Sequence, residues 1–575
     1  MDTAHAHHDL LVIGAGVNGA GVARDAQGRG LRVLLVERDD IAGATSSASS
    51  KLIHGGLRYL EYREFRLVAE ALAEREVLLK ICGHLAWPLT FVLPHAPHLR
   101  PRWLLRTGLF LYDRLGGRSS LPRSRAVDLH SPPFAGLLQP QFCHGFVYSD
   151  AWVDDARLVV ANVRDAVERG AQLLLGWEVA TAQRVAAVPG GTAAHWRVTL
   201  RAARGGAMRE VTAAAIVNAA GPWAAAVEQR ALPPADAPQP MSVAQSAPGA
   251  APVRLRHVKG SHIVVPRLYA GEHACILQHP DRRIVFLIPF ERAFTLIGTT
   301  DVEVGDDYAA PQASAQEIDY LCALASRYAA RPVRAEDVVW HYSGVRALAA
   351  ATEVSASAAS RDYTLRLDAA AGAAPWLSVL GGKLTTYRAL AQNVIDRLAP
   401  WLPPGPALRR AWTADAPLPG ADLGAGGYAG WRARLGARLP QIDAQVLDGL
   451  ARRHGTRVDA VLAGATTTAG LGAALGGGLY QRELDYLLAS EWVDALPPER
   501  ALDAVLWRRT KCGLTMSAQQ REALGRKLGV EPPGIGEGTM WMMRALQSSA
   551  SLTTSGINLA VPAASTAPGQ PAPGR

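Results

Sequence analysis

Three glycines in G-x-G-x-x-G spacing, Gly14, Gly16 and Gly19, are the first residues whose types and spacing point to chemistry. They follow a short apolar run. In that position the first glycine permits a tight turn, the second lets main chain approach a pyrophosphate, and the third lets the next helix pack closely. A second apolar run ends on Glu37, where an acid can bind ribose hydroxyls. The pattern predicts a dinucleotide site and leaves a flavin or a nicotinamide nucleotide open.

The next stretch, residues 42–50, consists of small residues with no apolar face of helical or strand period. Main chain of this kind suits a flat ligand. We therefore predict that Ser46, Ser47, Ser50 and Lys51 contact its phosphate or ring polar atoms. A solvated flexible loop is the alternative for serine-rich sequence. It is disfavoured because a glycine pair and a predicted helix follow directly.

Apolar periodicity predicts the elements that must position these residues. The fold class is α/β, with a Rossmann-like dinucleotide-binding domain, an interleaved domain built on an antiparallel sheet, and a C-terminal helical domain. The predicted elements after Glu37 are a helix at 64–80, a helix at 155–168 capped by Asp154 and Asp155, a strand at 171–175, a hairpin of 196–202 with 211–218, three strands between 259 and 300, a strand at 375–383 and a helix at 384–398.

Length and composition set the limits of this interpretation. At 575 residues the chain is too long for one core, and 49% hydrophobic with 19% charged residues is typical of globular protein. The five cysteines are scattered without C-x-x-C spacing, which argues against a disulfide framework and against a structural zinc site. No apolar run could span a bilayer and no signal segment is apparent, so we expect an intracellular protein.

The net charge of +9 favours an acidic partner: nucleic acid, an anionic membrane or a phosphorylated substrate. No aromatic-basic RNA motif or helix-turn-helix pattern is present, which disfavours nucleic acid. Of the 60 basic residues only six are lysines, namely Lys51, Lys80, Lys259, Lys383, Lys511 and Lys527. A lysine in a chemically suggestive stretch is therefore informative here, because an ammonium and a guanidinium are not equivalent.

Residues 100–115 interleave arginines with tryptophan, leucine, phenylalanine and tyrosine. A helix here would carry a wide apolar face bordered by arginines, as an interfacial membrane helix does. A helix docked on the protein's own core, with snorkelling arginine stems, fits the same pattern. Three other stretches are predicted to be poorly ordered: the histidine-rich start before Asp9, the excursion at 232–252 and the end of the chain from 560.

Longer stretches carry a family resemblance. GATSSASSKLIHGGLRYLE after VIGAGVNGAGVARDAQGRG resembles the FAD-dependent, membrane-associated glycerol-3-phosphate dehydrogenases among the D-amino-acid-oxidase-like flavoproteins. Further matching stretches are NAAGPWA, KGSHIVVP, IGTTD, YSGVRAL, SRDYTL, GGKLTTYR and LWRRTKCGL. The resemblance implies FAD-binding segments at about 9–80, 150–225 and 375–400, substrate-binding segments at 81–149 and 253–374, a helical domain at 401–540 and a tail at 541–575.

The resemblance also implies a reaction and its setting. Glycerol 3-phosphate would be oxidised to dihydroxyacetone phosphate by hydride transfer to FAD, with electrons passed to a membrane quinone. The protein would be a homodimer in the cytoplasm, peripheral on an anionic membrane surface at the inner face of the cell membrane. The resemblance also favours the membrane interpretation of residues 100–115. A glycerol-3-phosphate or amino-acid oxidase using oxygen is the alternative, although the surplus of cations in the implied pocket argues against an amino-acid substrate.

Finally, the resemblance places individual residues in the site. The implied substrate residues are Arg58, Tyr59, His262, Arg346, Arg361 and Lys383. The implied additional cofactor residues are Val179, Ala220, Gly221, Gly382, Lys383 and Leu384. The implied catalytic residues are His262, Arg346 and Lys383.

The catalytic roles follow from side-chain chemistry. His262, with an ordinary pKa near 6.5, is the candidate base, and an arginine-supported water or Arg346 itself remains open. Lys383, at a helix start after two glycines, would stabilise negative charge on the reduced cofactor.

Overall fold

Two large sheets organise the fold. The computed structural model describes residues 7–96, 100–189, 192–232, 255–279, 283–349, 362–369, 372–405, 408 and 410–531. Its strands are β1 His7–Ile13, β2 Val33–Glu37, β3 Leu52–Ile53, β4 Ala86–Pro94, β5 Arg125–Asp128, β6 His144–Val153, β7 Gln172–Leu175, β8 Trp177–Val185, β9 His195–Ala202, β10 Met208–Asn218, β11 Leu255–Pro266, β12 Ala274–Gln278, β13 Ile284–Phe290, β14 Phe294–Gly298, β15 Val302–Glu303, β16 Trp340–Ala349, β17 Thr364–Asp368, β18 Trp376–Leu380, β19 Ala474–Gly476 and β20 Leu479–Tyr480.

Helices cover both sheets and form the C-terminal region. They are α1 Val17–Gly28, α2 Phe65–Ile81, α3 Arg102–Leu115, α4 Asp155–Glu168, α5 Ala224–Ala231, α6 Ala315–Tyr328, α7 Tyr387–Leu398, α8 Gly427–Arg438, α9 Ala444–His454, α10 Val458–Leu462, α11 Gln481–Ser490, α12 Pro498–Asp503 and α13 Ala518–Lys527. A π-helical segment, Ala504–Arg509, continues α12. Within the described ranges no helix has both the length and the apolar character to cross a bilayer.

The first sheet has the order β17-β18-β10-β1-β2-β7, with β9 and β8 added in antiparallel fashion beyond β10. The strands from β18 to β7 are parallel, and their registers pair Ile13 with both Val36 and Asn218, and Asn218 with Ser378. The carboxyl ends of β1, β2, β10 and β18 therefore lie at one edge. Helices α1, α4 and α7 cover this sheet and share its core, so its strands are continuous apolar runs.

The second sheet has the order β15-β11-β14-β13-β12-β4-β6-β3, with β16 on β11 and β5 on β6. All of these pairings are antiparallel except that of β12 with β4. Helix α6 packs on one face, while α2 and α3 contribute to the core on the other. Strand β11 lies between β14 and β16, which pair His262 with Gly298 on one side and with Tyr342 on the other.

Most predicted elements are confirmed, including the hairpin of β9 and β10, the three strands β11, β13 and β14, and the Asp154 cap, which accepts the Arg157 N–H. The prediction of a disordered start is wrong for His7 and His8. They extend β1, because β10 offers a parallel partner at Thr212 and Ala213.

The predicted helix at 384–398 begins with a 3-10 turn, Leu384–Thr386, and becomes α-helical only at Tyr387. The predicted excursion at 232–252, beyond its first residue, and the tail at 541–575 lie outside the described residues.

Candidate functional site

The glycine loop after β1 has the close contacts that its glycines allow. Gly14 has a φ of +99°, and a Cβ atom there would lie 2.8 Å from the Ala219 carbonyl oxygen. A Cβ at Gly19 would lie 1.9 Å from the Gly14 carbonyl oxygen. At Gly16 a Cβ would meet the hydroxyl of Ser46 at 3.1 Å. The loop thus leaves main chain bare at the start of α1, as a pyrophosphate requires.

Glu37 supports this loop from the end of β2. Its Oε2 accepts the Ala15 N–H at 2.7 Å and its Oε1 accepts the Asp39 N–H at 2.8 Å. Burial raises the pKa of this carboxyl group, and the two N–H donors offset part of the rise. A carboxylate can accept about four hydrogen bonds, so both oxygens retain lone pairs for ribose hydroxyls.

The serine loop, residues 44–51, joins the glycine loop to the second sheet. Ser46 Oγ accepts the Val17 N–H at 2.9 Å, at the first turn of α1. Thr45 donates its hydroxyl to the Val345 carbonyl at 2.7 Å, on β16. Ser47 bonds locally, to the Ala44 carbonyl. This loop therefore lies between the dinucleotide edge and the strand that carries Arg346.

The Lys51 side chain bonds to other parts of the protein. Its ammonium lies 2.7 Å from Asp155 Oδ1 and donates to the Ser47 carbonyl at 3.1 Å, with only 1% of the side chain exposed. Asp155 also accepts the N–H and hydroxyl of Ser49. Lys51 therefore fixes the serine loop from inside. The predicted contact of Lys51 with a cofactor remains a prediction.

Two other loops complete the same edge. The Ala219 N–H donates to the Ile13 carbonyl at 2.9 Å, so the residues that follow, Ala220 and Gly221, lie beside the glycine loop. After β18, the Gly381 carbonyl accepts from Asn18 Nδ2 at 3.2 Å. Gly382, Lys383 and Leu384 continue from there, and Gly382 has a φ of +101°. The residues at this edge fit a dinucleotide, because four strand ends present small residues and free main chain together.

Val179 is buried on β8, and its carbonyl accepts both Nε and Nη2 of Arg230, at 3.2 and 3.1 Å. Its predicted contact with adenine remains a prediction.

His262 lies at the point where the serine loop meets β11. Its Nε2 is 2.8 Å from Ser50 Oγ, and its ring stacks on Tyr342 with 4.9 Å between centroids. Its Nδ1 is buried and has no hydrogen-bond partner in the described part of the chain. Burial, then the charges of Arg346 and Lys51, hold the pKa of His262 well below 6.5, which corrects the expectation of an ordinary value.

Arg346 lies on the same face of β16 as Tyr342, since the two are four residues apart on one strand. Its Nη1 is ion-paired with Asp301, and its Nη2 contacts Thr299 Oγ1 at 3.4 Å. A Cβ on Gly260 would lie 2.9 Å from Nη2. The glycine therefore makes room for the guanidinium above β11, with a quarter of the side chain exposed.

The remaining predicted residues divide into two groups. Lys383 Nζ lies 3.9 Å from the centre of the Tyr59 ring, so these two residues are together. Arg58 instead donates to the Tyr62 hydroxyl at 3.3 Å, beside an exposed ring. This contact does not support its predicted role in phosphate binding. Arg361 lies outside the described residues.

Three residues near the site were missed. Asp301 orients Arg346, Tyr342 stacks on His262 and donates to the Ser49 carbonyl at 2.8 Å, and Asp155 holds the serine loop. Strand period 2 could have found Tyr342, four residues before Arg346 in YSGVRAL.

Comparison with known proteins agrees with this arrangement. The family model described as FAD dependent oxidoreductase (DAO) matches residues 9–388. Aerobic glycerol-3-phosphate dehydrogenase of Escherichia coli is 44% identical over 520 residues, covering 90% of this chain and 97% of that protein. D-erythritol 1-phosphate dehydrogenase of Brucella abortus is also 44% identical, over 90% of this chain and 96% of its own.

A solved structure gives the same result. The glycerol-3-phosphate dehydrogenase from Bacillus halodurans, complexed with FAD, superposes with a TM-score of 0.63 at 25% identity, covering 92% of this chain and 97% of that one. The family model covers more than half of the chain, and the chain therefore belongs to the FAD-dependent oxidoreductase (DAO) family.

Proposed function

We propose that the protein oxidises sn-glycerol 3-phosphate to dihydroxyacetone phosphate, with FAD at the dinucleotide edge. The observation that carries the proposal is the contact of the serine loop with β16, through Thr45 and Val345. That contact brings a cation, Arg346, and a neutral imidazole, His262, next to the edge formed by the strand ends. The named activities of the E. coli and B. halodurans relatives supply the substrate.

Each side chain has a task in this reaction. Arg346 binds the substrate phosphate, since its planar fork matches phosphate oxygens, and Asp301 fixes the orientation of that fork. His262 is the proposed base for the C2 hydroxyl proton, and its Nε2 lies 2.8 Å from Ser50 Oγ. FAD supplies the hydride acceptor.

Lys383 is the third residue that is proposed to act in the reaction. Its ammonium is held over the Tyr59 ring, next to the glycine pair that follows β18. A cation there stabilises negative charge that develops during the reaction. Tyr59 thus positions Lys383, and the two form one unit.

Anaerobic titration of the purified protein tests the reaction directly. Glycerol 3-phosphate should bleach the flavin absorbance in proportion to substrate, and unphosphorylated glycerol should do so only at far higher concentration. A flavin that stays oxidised with an excess of glycerol 3-phosphate would contradict the proposal.

A second phosphorylated polyol is a specific candidate, because the Brucella abortus enzyme named for D-erythritol 1-phosphate is as similar as the E. coli enzyme. The same cation and imidazole would serve either substrate. The ratio of kcat/KM for the two compounds decides between them. A ratio that favours D-erythritol 1-phosphate would transfer the assignment to it.

Helix α3 supports a peripheral membrane association. Leu109 and Tyr112 are buried on the protein's own core, whereas Trp103 is 69% and Phe110 is 49% exposed. One face of α3 therefore packs on the protein's own core, while another apolar face is exposed, so both interpretations of its sequence hold. An exposed apolar face bordered by arginines suits an anionic bilayer. A position on the inner face of the cell membrane, which the family resemblance implies, is part of this proposal.

Vesicle sedimentation tests this surface. Arg102→Glu with Trp103→Ala should reduce binding to phosphatidylglycerol vesicles while leaving dye-linked activity intact. Arg106 is left unchanged because it donates to the carbonyl and hydroxyl of Ser124. Met208→Ala is the control, since Met208 is 60% exposed on β10. Binding that is unchanged in the double variant would remove α3 from the membrane surface.

A membrane quinone as electron acceptor and a homodimer complete the proposal. Quinone reduction should exceed oxygen consumption under the same conditions, and the reverse would make the protein an oxidase. Sedimentation equilibrium should give twice the 61.1 kDa of one chain.

A further inference from the structure

The segment that follows α12 sends three cationic side chains toward the loops of the dinucleotide edge. Asp40, in the loop after β2, accepts from Arg508 Nε at 2.8 Å and from Arg509 Nη1 and Nη2 at 3.0 and 2.7 Å. Asp40 and Arg509 are almost completely buried. The same loop bonds the glycine loop through the Ala42 N–H and the Ala15 carbonyl, at 3.1 Å. The loop that follows Glu37 is thus held from the C-terminal region.

Lys511 reaches a second loop through a pair of adjacent aspartates. Its Nζ lies 2.8 Å from both oxygens of Asp154, the residue that caps α4. Asp155, the next residue, holds Lys51 and Ser49 of the serine loop. Burial favours a neutral Asp154, but Lys511 and then Lys51 hold its pKa below the ordinary value. Lys511 and Lys51 therefore pair with two adjacent buried carboxylates, Asp154 and Asp155.

The residue types at these positions fit a positioning role. Lys511 has a φ of +76° and Lys51 a φ of +58°, conformations that favour glycine over a side chain with a Cβ. Both positions nevertheless carry two of the chain's six lysines. A positively charged side chain is therefore present at both positions, although their backbone conformation disfavours a residue with a Cβ.

We infer that Arg508, Arg509 and Lys511 of the C-terminal region are positioning residues for the cofactor. Through Asp40 and through Asp154 with Asp155 they fix the two loops that border the dinucleotide edge. The position of the serine loop also affects the proposed substrate site, because Ser50 bonds His262. The inference depends on the flavin edge of the family and not on which polyol phosphate is oxidised.

Hydrogen exchange of the apoprotein tests this inference without any cofactor. Lys511→Met and Asp154→Asn should each speed amide exchange in residues 44–51, and asparagine still caps α4. The FAD dissociation constant, from quenching of flavin fluorescence, should rise about tenfold or more, because a buried charge has lost its partner. The double variant should be no worse than either single one, since both remove the same contact. Lys511→Arg should recover part of the affinity.

The matched control is Glu483→Gln. Glu483 is equally buried, and its side chain bonds Arg453 and His454 of the C-terminal region. It should lower Tm without changing exchange in residues 44–51. If Lys511→Met does not fold, Arg508→Lys carries the same test for residues 38–43. Wild-type exchange and FAD affinity in the loop variants, or equal losses in Glu483→Gln, would overturn the inference. Flavin affinity is measured without substrate, so this result is independent of the proposed reaction.

Discussion

Replacing Arg346 by methionine should separate phosphate recognition from the rest of catalysis. A charge-assisted hydrogen bond contributes roughly 1.5–3 kcal/mol. Because about 1.4 kcal/mol corresponds to a factor of ten, kcat/KM for glycerol 3-phosphate should fall about 10- to 150-fold. Oxidation of unphosphorylated glycerol should change little, because glycerol has no phosphate group for Arg346 to bind.

Asp301 makes the loss larger than the hydrogen bond alone. It is ion-paired with Arg346, so the Arg346→Met variant removes the positive charge that offsets this carboxylate near the proposed phosphate site. The double variant Arg346→Met with Asp301→Asn should therefore recover part of kcat/KM. Arg346→Lys keeps the charge but loses the planar fork, and its loss should be intermediate.

Dye-linked steady-state kinetics with both substrates provides the measurement. Arg438→Met is the control for removing one positive charge, because Arg438 is half exposed and ion-paired with Asp459 in the C-terminal region. Equal losses on glycerol 3-phosphate and on glycerol would refute the reasoning, since an effect on folding or on FAD would be uniform. An unchanged double variant would remove Asp301 from the argument.

Three further outcomes are expected. The acid limb of the pH profile of kcat/KM should lie well below pH 6.5, because His262 stays neutral until the pH falls through its lowered pKa. Arg346→Met removes a positive charge that lowers this pKa, so the acid limb should move to higher pH. Glu37→Ala should weaken FAD retention without altering the flavin spectrum, and full retention in ultrafiltration would contradict the ribose assignment. Lys383→Arg should retain FAD yet slow flavin reduction in stopped flow, whereas Lys383→Met should also lower the flavin potential. Wild-type reduction rates in both variants would remove Lys383 from the site.

The dinucleotide edge could be predicted because its signals are local. The glycines, the two apolar strands and Glu37 fall within one short stretch, and each requirement is met by backbone conformation or by strand period. The observed β1, α1 and β2 follow that prediction closely. Later elements were also recognisable, since strands such as β11 and β14 carry their own apolar patterns.

The corrections concern partners that are distant in sequence. The ammonium of Lys51 is paired with Asp155, 104 residues away, so the serine-rich stretch alone could not show that it points inward. The pKa of His262 depends on burial and on Arg346, which arrives on a neighbouring strand. His8 is buried because β10 provides a partner, although a histidine-rich terminus is usually frayed. Local patterns therefore predict elements better than they predict the environment of a charge.

The serine loop ties cofactor binding and substrate binding together, and Gly344 tests that connection. A Cβ at Gly344 would lie 2.9 Å from Ala48 Cβ and 3.3 Å from the Ala48 carbonyl oxygen, so Gly344→Ala must displace the loop. The displacement should weaken two hydrogen bonds in the same variant, that of Ser46 with the first turn of α1 and that of Ser50 with His262. We therefore expect a higher FAD dissociation constant together with a lower kcat in FAD-saturated protein.

Gly108→Ala is the control for the Gly344 substitution, because nothing lies within 4 Å of a Cβ at that position of α3. Both variants should be assayed at the same number of degrees below their own Tm, so that a general loss of stability does not affect the comparison. If Gly344→Ala changed kcat alone, the loop would serve only the substrate side. If it changed FAD affinity alone, the contact between Ser50 and His262 would carry no catalytic consequence. A joint change is the result that requires one loop to hold both halves of the site, because the serine loop bonds α1 through Ser46 and His262 through Ser50.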